Sequence, residues 1–90
     1  MKRIDGLGQE ANLPFAHHCS FDLGITTAAI IHGVSSAPGF RYPMDSTYYA
    51  QDGDVLETPL EIRSGEFHTP KGSGLGINVD REKVKALADK

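Results

Sequence analysis

Apolar and polar positions alternate between helical and extended spacing along the chain, and each change marks an element. Ile4 and Leu7, three apart, predict a weak helix from Lys2 to Glu10, thinned by Gly6 and Gly8. It has no N-cap of its own, and Asn12 can close it in the left-handed conformation. Leu13-Pro14-Phe15-Ala16 is apolar and turns polar at His17-His18, which reads as a buried strand delivering polar groups at its C-terminal end. Ile25, Ala28, Ala29 and His32 then form an i, i+3, i+4, i+7 stripe, widened by Ile30, Ile31 and Val34. That stripe predicts a helix over 25–35, with Ser20 and Asp22 as candidate N-caps and Pro38-Gly39 as its stop. Residues 40–44 read as a second short strand, again ending in polar residues, Asp45-Ser46-Thr47.

After Tyr48 the spacing changes. Leu60-Glu61-Ile62-Arg63 alternates, Ser64-Gly65 makes a two-residue turn, and Glu66-Phe67-His68-Thr69 alternates back, which predicts a hairpin. Residues 70–76 form a glycine-rich loop, and Asp80 caps a last helix over 81–88 with Val84, Leu87 and Ala88 on one face. The chain thus divides into 1–47, a strand–helix–strand unit, and 48–90, a hairpin, loop and helix tail. A βαβ unit implies an α/β fold with parallel strands. Parallel strands need cover on both faces, and here a pair of strands has one helix. That shortage, with the missing helix start, marks the chain as a truncated piece of a larger sheet or barrel.

Size and charge narrow the function classes. Ninety residues hold one small domain or part of a larger one. An apolar content of 39% and the lack of Trp allow only a modest core. One cysteine, Cys19, forms no intrachain disulfide, which favours a reducing, cytoplasmic setting. The net charge of −3 comes with scattered cations, so no phosphate-binding track is expected and no nucleic-acid partner. No secretory signal and no membrane-spanning run are seen.

Candidate chemistry sits at the two expected strand ends, where α/β barrels and open sheets keep their active sites. Successive strand residues point to opposite faces, so His17 and His18 cannot both look into one site. Either histidine could be a hydrogen-bonded strand terminus and Asp45 an ordinary turn residue; their pairing at equivalent ends is what raises them. A histidine there can exchange a proton near neutral pH. Other constellations are weaker. Zinc would need Cys19 joined by distant His32 or His68, with no matching spacing. Gly72-Ser73-Gly74-Leu75-Gly76 lacks phosphate-loop spacing and reads as a chain reversal. Ser20, Ser46 and Cys19 lack a nucleophile context, and Tyr48-Tyr49 reads as packing.

These segments, in this order, resemble the C-terminal end of an enolase-superfamily enzyme of the mandelate racemase, muconate lactonizing enzyme and glucarate dehydratase type. The resemblance is carried by Ala11-Asn12-Leu13-Pro14 with His17-His18-Cys19, by Phe21-Asp22-Leu23-Gly24-Ile25 with Ala28-Ala29, His32 and Ser36-Ala37-Pro38-Gly39, and by Asp45-Ser46-Thr47. It continues through Asp54-Val55-Leu56, Pro59-Leu60-Glu61-Ile62, Gly65, Pro70 and Gly74-Leu75-Gly76-Ile77 to Asp80. It implies the terminal βαβ unit of a (β/α)₇β barrel, followed by a hairpin and helix tail that returns toward a capping domain. The implied chemistry is abstraction of a proton alpha to a carboxylate, with Mg²⁺ stabilising the enediolate. Family spacing from the strand proline places the base at His18; a shifted gap would make it His17. Asp45 matches the last-strand acid that contacts substrate at the oxygen side of the enolate, and in a dehydratase the histidine also protonates the departing β-hydroxyl. The magnesium ligands belong to earlier strands, outside this chain. The glucarate-like stretches favour a dehydratase of an acid sugar; a racemase or epimerase of the same superfamily, or a small non-enzymatic interaction module, are the alternatives. The resemblance further implies a homo-oligomer at full length and an inactive isolated chain.

Overall fold

Helix α1 (Lys2–Glu10) exists because its C-terminus and one buried carboxylate fasten it. Asn12, at φ +59°, reverses the chain, with its N–H on Gln9 O (3.2 Å) and the Leu13 N–H on Gly8 O (2.7 Å). This is a Schellman closure. Asp5 is buried; its Oδ1 accepts the Gly39 N–H (2.7 Å) and its Oδ2 accepts Gln9 Nε2 (2.9 Å). The carboxylate lies where a Gly39 Cβ would be, so glycine is needed there for close approach. The computed structural model describes all residues except Ser20, Asp89 and Lys90; Ser20 as a helix cap therefore lies outside the described residues.

The two expected strands lie side by side without a regular ladder. Phe15 N–H donates to Gly39 O (2.9 Å), Tyr42 N–H to Phe15 O (3.4 Å) and Asp45 N–H to His17 O (3.4 Å). Partner numbers rise together, so the segments run parallel. Between the last two bonds one segment advances two residues and the other three, which breaks the register. Pro14 and Pro43 also lack donors. The expected strands are thus extended segments, paired only at intervals.

Helix α2 (Gly24–Ser35) connects them. Its N-cap is Leu23, which offers no side-chain cap, so the expected Asp22 cap gives way to a distant one: Asp54 Oδ1 accepts the Gly24 N–H at 2.8 Å. The helix buries Gly24, Thr27, Ala28 and Ile31, a face rotated from the expected stripe, while Ile25 and Ala29 are exposed. Ala28 and Ile31 join Tyr48, Val55, Leu56 and Leu60 in one hydrophobic cluster, against which Leu23, Met44, Phe67, Leu75, Ile77 and Leu87 pack. That cluster draws on both sides of residue 47.

The tail follows local rules. Strands β1 (Ile62–Arg63) and β2 (Glu66–Phe67) pair antiparallel with Ile62 opposite Phe67 and Arg63 opposite Glu66. Ser64 (φ +52°) and Gly65 (φ +77°) give the turn its primed geometry, whose twist matches that of the strands. Leu56 bridges Val79 antiparallel, and Asp80 N–H donates to Val55 O (2.7 Å). Asp80 Oδ1 then accepts the N–H groups of Glu82 (3.0 Å) and Lys83 (3.2 Å), the expected cap of α3 (Arg81–Ala88). No helix among the described residues is long and apolar enough to cross a membrane.

Candidate active site

The two parallel segments end side by side, and their ends carry the histidines and the aspartate. Asp45 donates its backbone N–H to His17 O, so its side chain starts beside His18 and Cys19. Oδ2 lies 2.5 Å from His18 Nδ1, and Oδ1 accepts the Cys19 N–H at 2.7 Å. Alternation separates the histidines as expected. The His18 side chain is 87% exposed, whereas His17 is half-buried and its buried Nδ1 has no partner among the described residues.

The electrostatics follow from these contacts. The Cys19 N–H, and after it the His18 ring, hold the Asp45 carboxyl below its ordinary value of 3.8. An ionised carboxylate only accepts, so the His18 nitrogen facing it, Nδ1, donates. In the neutral ring this leaves the lone pair on Nε2, the outward nitrogen. The arrangement therefore presents an oriented imidazole able to take a proton at Nε2.

Around this pair the surface is open. Clefts of about 690 and 800 Å³ flank the hairpin, and neither is lined by His18 or Asp45. No group of three or more His, Cys, Asp or Glu able to hold a metal occurs among the described residues. Magnesium demands near-octahedral oxygen ligation, and the one carboxylate here already has both oxygens engaged. The chain's described residues thus do not make a magnesium site, and Cys19, His32 and His68 do not gather into a zinc site. His32 is structural: its Nε2 meets Leu75 O at 2.7 Å and ties the glycine-rich loop to α2. That loop reverses the chain with Gly72, Gly74 and Gly76 all at positive φ.

Asp54 is the polar residue that reading the sequence missed. In the sequence it entered only within the resemblance segment Asp54-Val55-Leu56, with no role of its own. The structure gives it the first N–H of α2, the Val55 N–H (2.7 Å) and the Tyr48 hydroxyl. Burial and the Asp54 contact push the Tyr48 hydroxyl above its ordinary pKa. The sequence offered Ser20 and Asp22 as nearer caps for that helix, so nothing in it pointed to Asp54.

The chain as a whole is similar to known proteins. The model of the family described as enolase C-terminal domain-like matches residues 1–84. A probable glucarate dehydratase of Streptomyces coelicolor is 34% identical over 70 residues, covering 78% of this chain and 16% of that protein. A chloromuconate cycloisomerase of Pseudomonas sp. strain P51 is 37% identical, covering 92% of this chain and 23% of the relative. An N-succinylamino acid racemase of Thermus thermophilus is 28% identical over 86% of this chain and 21% of its own. The chain thus spans less than a quarter of each of these relatives. Among solved structures, an enolase from Streptomyces coelicolor superposes with a TM-score of 0.92 at 35% identity, covering 98% of this chain and 23% of that one. A Mycobacterium smegmatis enolase complexed with tartrate gives 0.89 at 28% identity, over 98% of this chain and 21% of its own. A Gibberella zeae enolase complexed with magnesium, formate and sulfate gives 0.84 at 29%, with the same coverages of 98% and 21%.

Proposed function

The chain belongs to the enolase C-terminal domain-like family, and from that membership we propose that it is the closing section of a (β/α)₇β-barrel dehydratase whose base is His18. Residues 1–47 are its last strand–helix–strand unit, and 48–90 form the tail that returns toward a capping domain. The substrate is an acid sugar of the glucarate kind. His18 Nε2 takes the proton alpha to the carboxylate while Asp45, ionised, holds Nδ1–H and stabilises the imidazolium that forms. The same imidazolium then returns the proton to the departing β-hydroxyl, which leaves as water. The family implies magnesium, but no group of three or more donors for it occurs among the described residues, so no step here runs through the metal.

The observation that carries the reading is the His18–Asp45 contact at the joined ends of two parallel segments, with Nε2 left outward. The tartrate bound to the Mycobacterium smegmatis relative supports a small hydroxy-acid substrate. A racemase or epimerase is the second reading, favoured by the Thermus relative; in that case the proton returns to carbon and no water is lost.

The test is a chimera in which this section replaces the matching portion of the Streptomyces coelicolor glucarate dehydratase relative. Solvent deuterium entering the alpha position is followed by NMR, together with loss of substrate. The unmodified chimera should exchange and dehydrate, His18→Gln should abolish both, and His17→Gln should keep them. The opposite outcome for the two histidines would move the base to His17. Exchange without water loss would select the racemase reading.

A further inference from the structure

Two stretches of chain lead away from the His18–Asp45 pair. One leads from Cys19 to α2, and the other leads from Asp45 to the 3₁₀ turn at Tyr48–Ala50. Among the described residues, neither 21–23 nor 45–47 belongs to a helix or strand. Their far ends meet on one side chain. Asp54 Oδ1 accepts the Gly24 N–H at 2.8 Å, and Oδ2 accepts the Tyr48 hydroxyl. Tyr48 is also fixed, since its hydroxyl accepts the Leu60 N–H (3.0 Å) and its own N–H donates to Ser46 Oγ (3.2 Å). Following the chain and these bonds closes a ring, from Asp45 to Tyr48, to Asp54, to Gly24, to Cys19, and through the Cys19 N–H back to Asp45.

We infer that Asp54 is a positioning residue, which holds the helix start and the Tyr48 turn together so that the Cys19 N–H and the His18 ring both meet Asp45. The inference rests on reading His18 and Asp45 as the acting pair. Helix α2 has no side-chain cap of its own, so its first N–H and the positive end of its dipole are served by this distant carboxylate. The fit is close: a Cβ on Gly24 would fall 2.5 Å from Leu56 Cγ and Cδ1 and 2.8 Å from Asp54 Oδ1. A helix seated so tightly cannot turn relative to the tail without moving the segment that carries Cys19. The tail, which touches no reacting atom, thereby sets the site's geometry.

Asp54→Ala, which removes both acceptor oxygens, and Tyr48→Phe in the full chain test this, with amide dispersion reporting that each variant is folded. The readouts are the Cys19 amide shift, the His18 ring nitrogen shifts at pH 7, and the Asp45 carboxyl titration. Loss of positioning should move the Cys19 and His18 signals toward those of unbonded groups and raise the Asp45 midpoint toward 3.8. Tyr48→Phe, which spares the Gly24 contact, should give a smaller shift in the same direction. Folded variants that keep the wild-type signals would overturn the inference, and if Asp54→Ala fails to fold, Tyr48→Phe decides alone. In the chimera, Asp54→Ala should lower kcat for exchange by about 10–100-fold through misplacement of the pair, and an unchanged kcat would likewise overturn it. Failure of the underlying reading shows elsewhere, as exchange that survives His18→Gln with Asp54 intact.

Discussion

Protonating Asp45 weakens two contacts at once, because the same carboxylate accepts from Cys19 and from His18. Its folded pKa is depressed, so the stability it adds is fully present above its unfolded value and is lost as pH falls through the folded one. The expected outcome is that wild type and Asp45→Asn differ in urea unfolding at pH 6 and converge below the ordinary carboxylate range; a difference that persists at low pH would contradict it. Asp5 works differently, because it is buried. Asp5→Ala leaves the Gly39 N–H without its acceptor, and an orphaned buried donor costs about 1–3 kcal/mol. Urea midpoints should fall accordingly, with Asp5→Asn losing less because it keeps an acceptor oxygen. Reading the sequence brought out Asp45 but passed over Asp5. A carboxylate at a strand end matches a known placement of active sites, whereas a buried one on a weak helix is visible only once the Pro38-Gly39 turn is seated on it.

Elements governed by neighbours in sequence were legible, and those governed by distant partners were not. The Ser64-Gly65 turn, the Asn12 closure and the Asp80 cap depend on a few adjacent residues, and each forms where its residues predict. The start of α2 depends on a carboxylate thirty positions along the chain. The extended segments at 13–17 and 40–44 depend on neighbours that a pair of strands does not supply for itself. Two changes test the local part. Ser64→Asn suits the left-handed first turn position better and should raise stability by about 0.5 kcal/mol. Asp80→Ala removes the acceptor for two backbone donors and should cost about 1 kcal/mol, read as lost stability with reduced helical circular dichroism.

At the scale of the molecule, the chain on the proposed reading holds an oriented base but little of what gives a base its power. His18 is 87% exposed, in water, where its attraction to Asp45 is screened. The pair lines neither cleft, and no metal-binding group of three or more donors occurs among the described residues. A positioned general base contributes about 10²–10⁴-fold, against total enzymatic accelerations of about 10⁶–10¹⁷-fold. The remainder comes from electrostatic stabilisation of the developing charge and exclusion of water, which an open surface does not provide. Ile4, Leu7, Leu13, Phe21 and Ile25 are exposed, and on the proposed reading further elements of the barrel would cover these apolar side chains. The purified chain, given Mg²⁺ and acid sugars in deuterium oxide at neutral pH, should therefore leave the alpha proton in place within the buffer background. Exchange that rises in proportion to protein concentration and disappears in His18→Gln would show instead that this section is catalytic by itself.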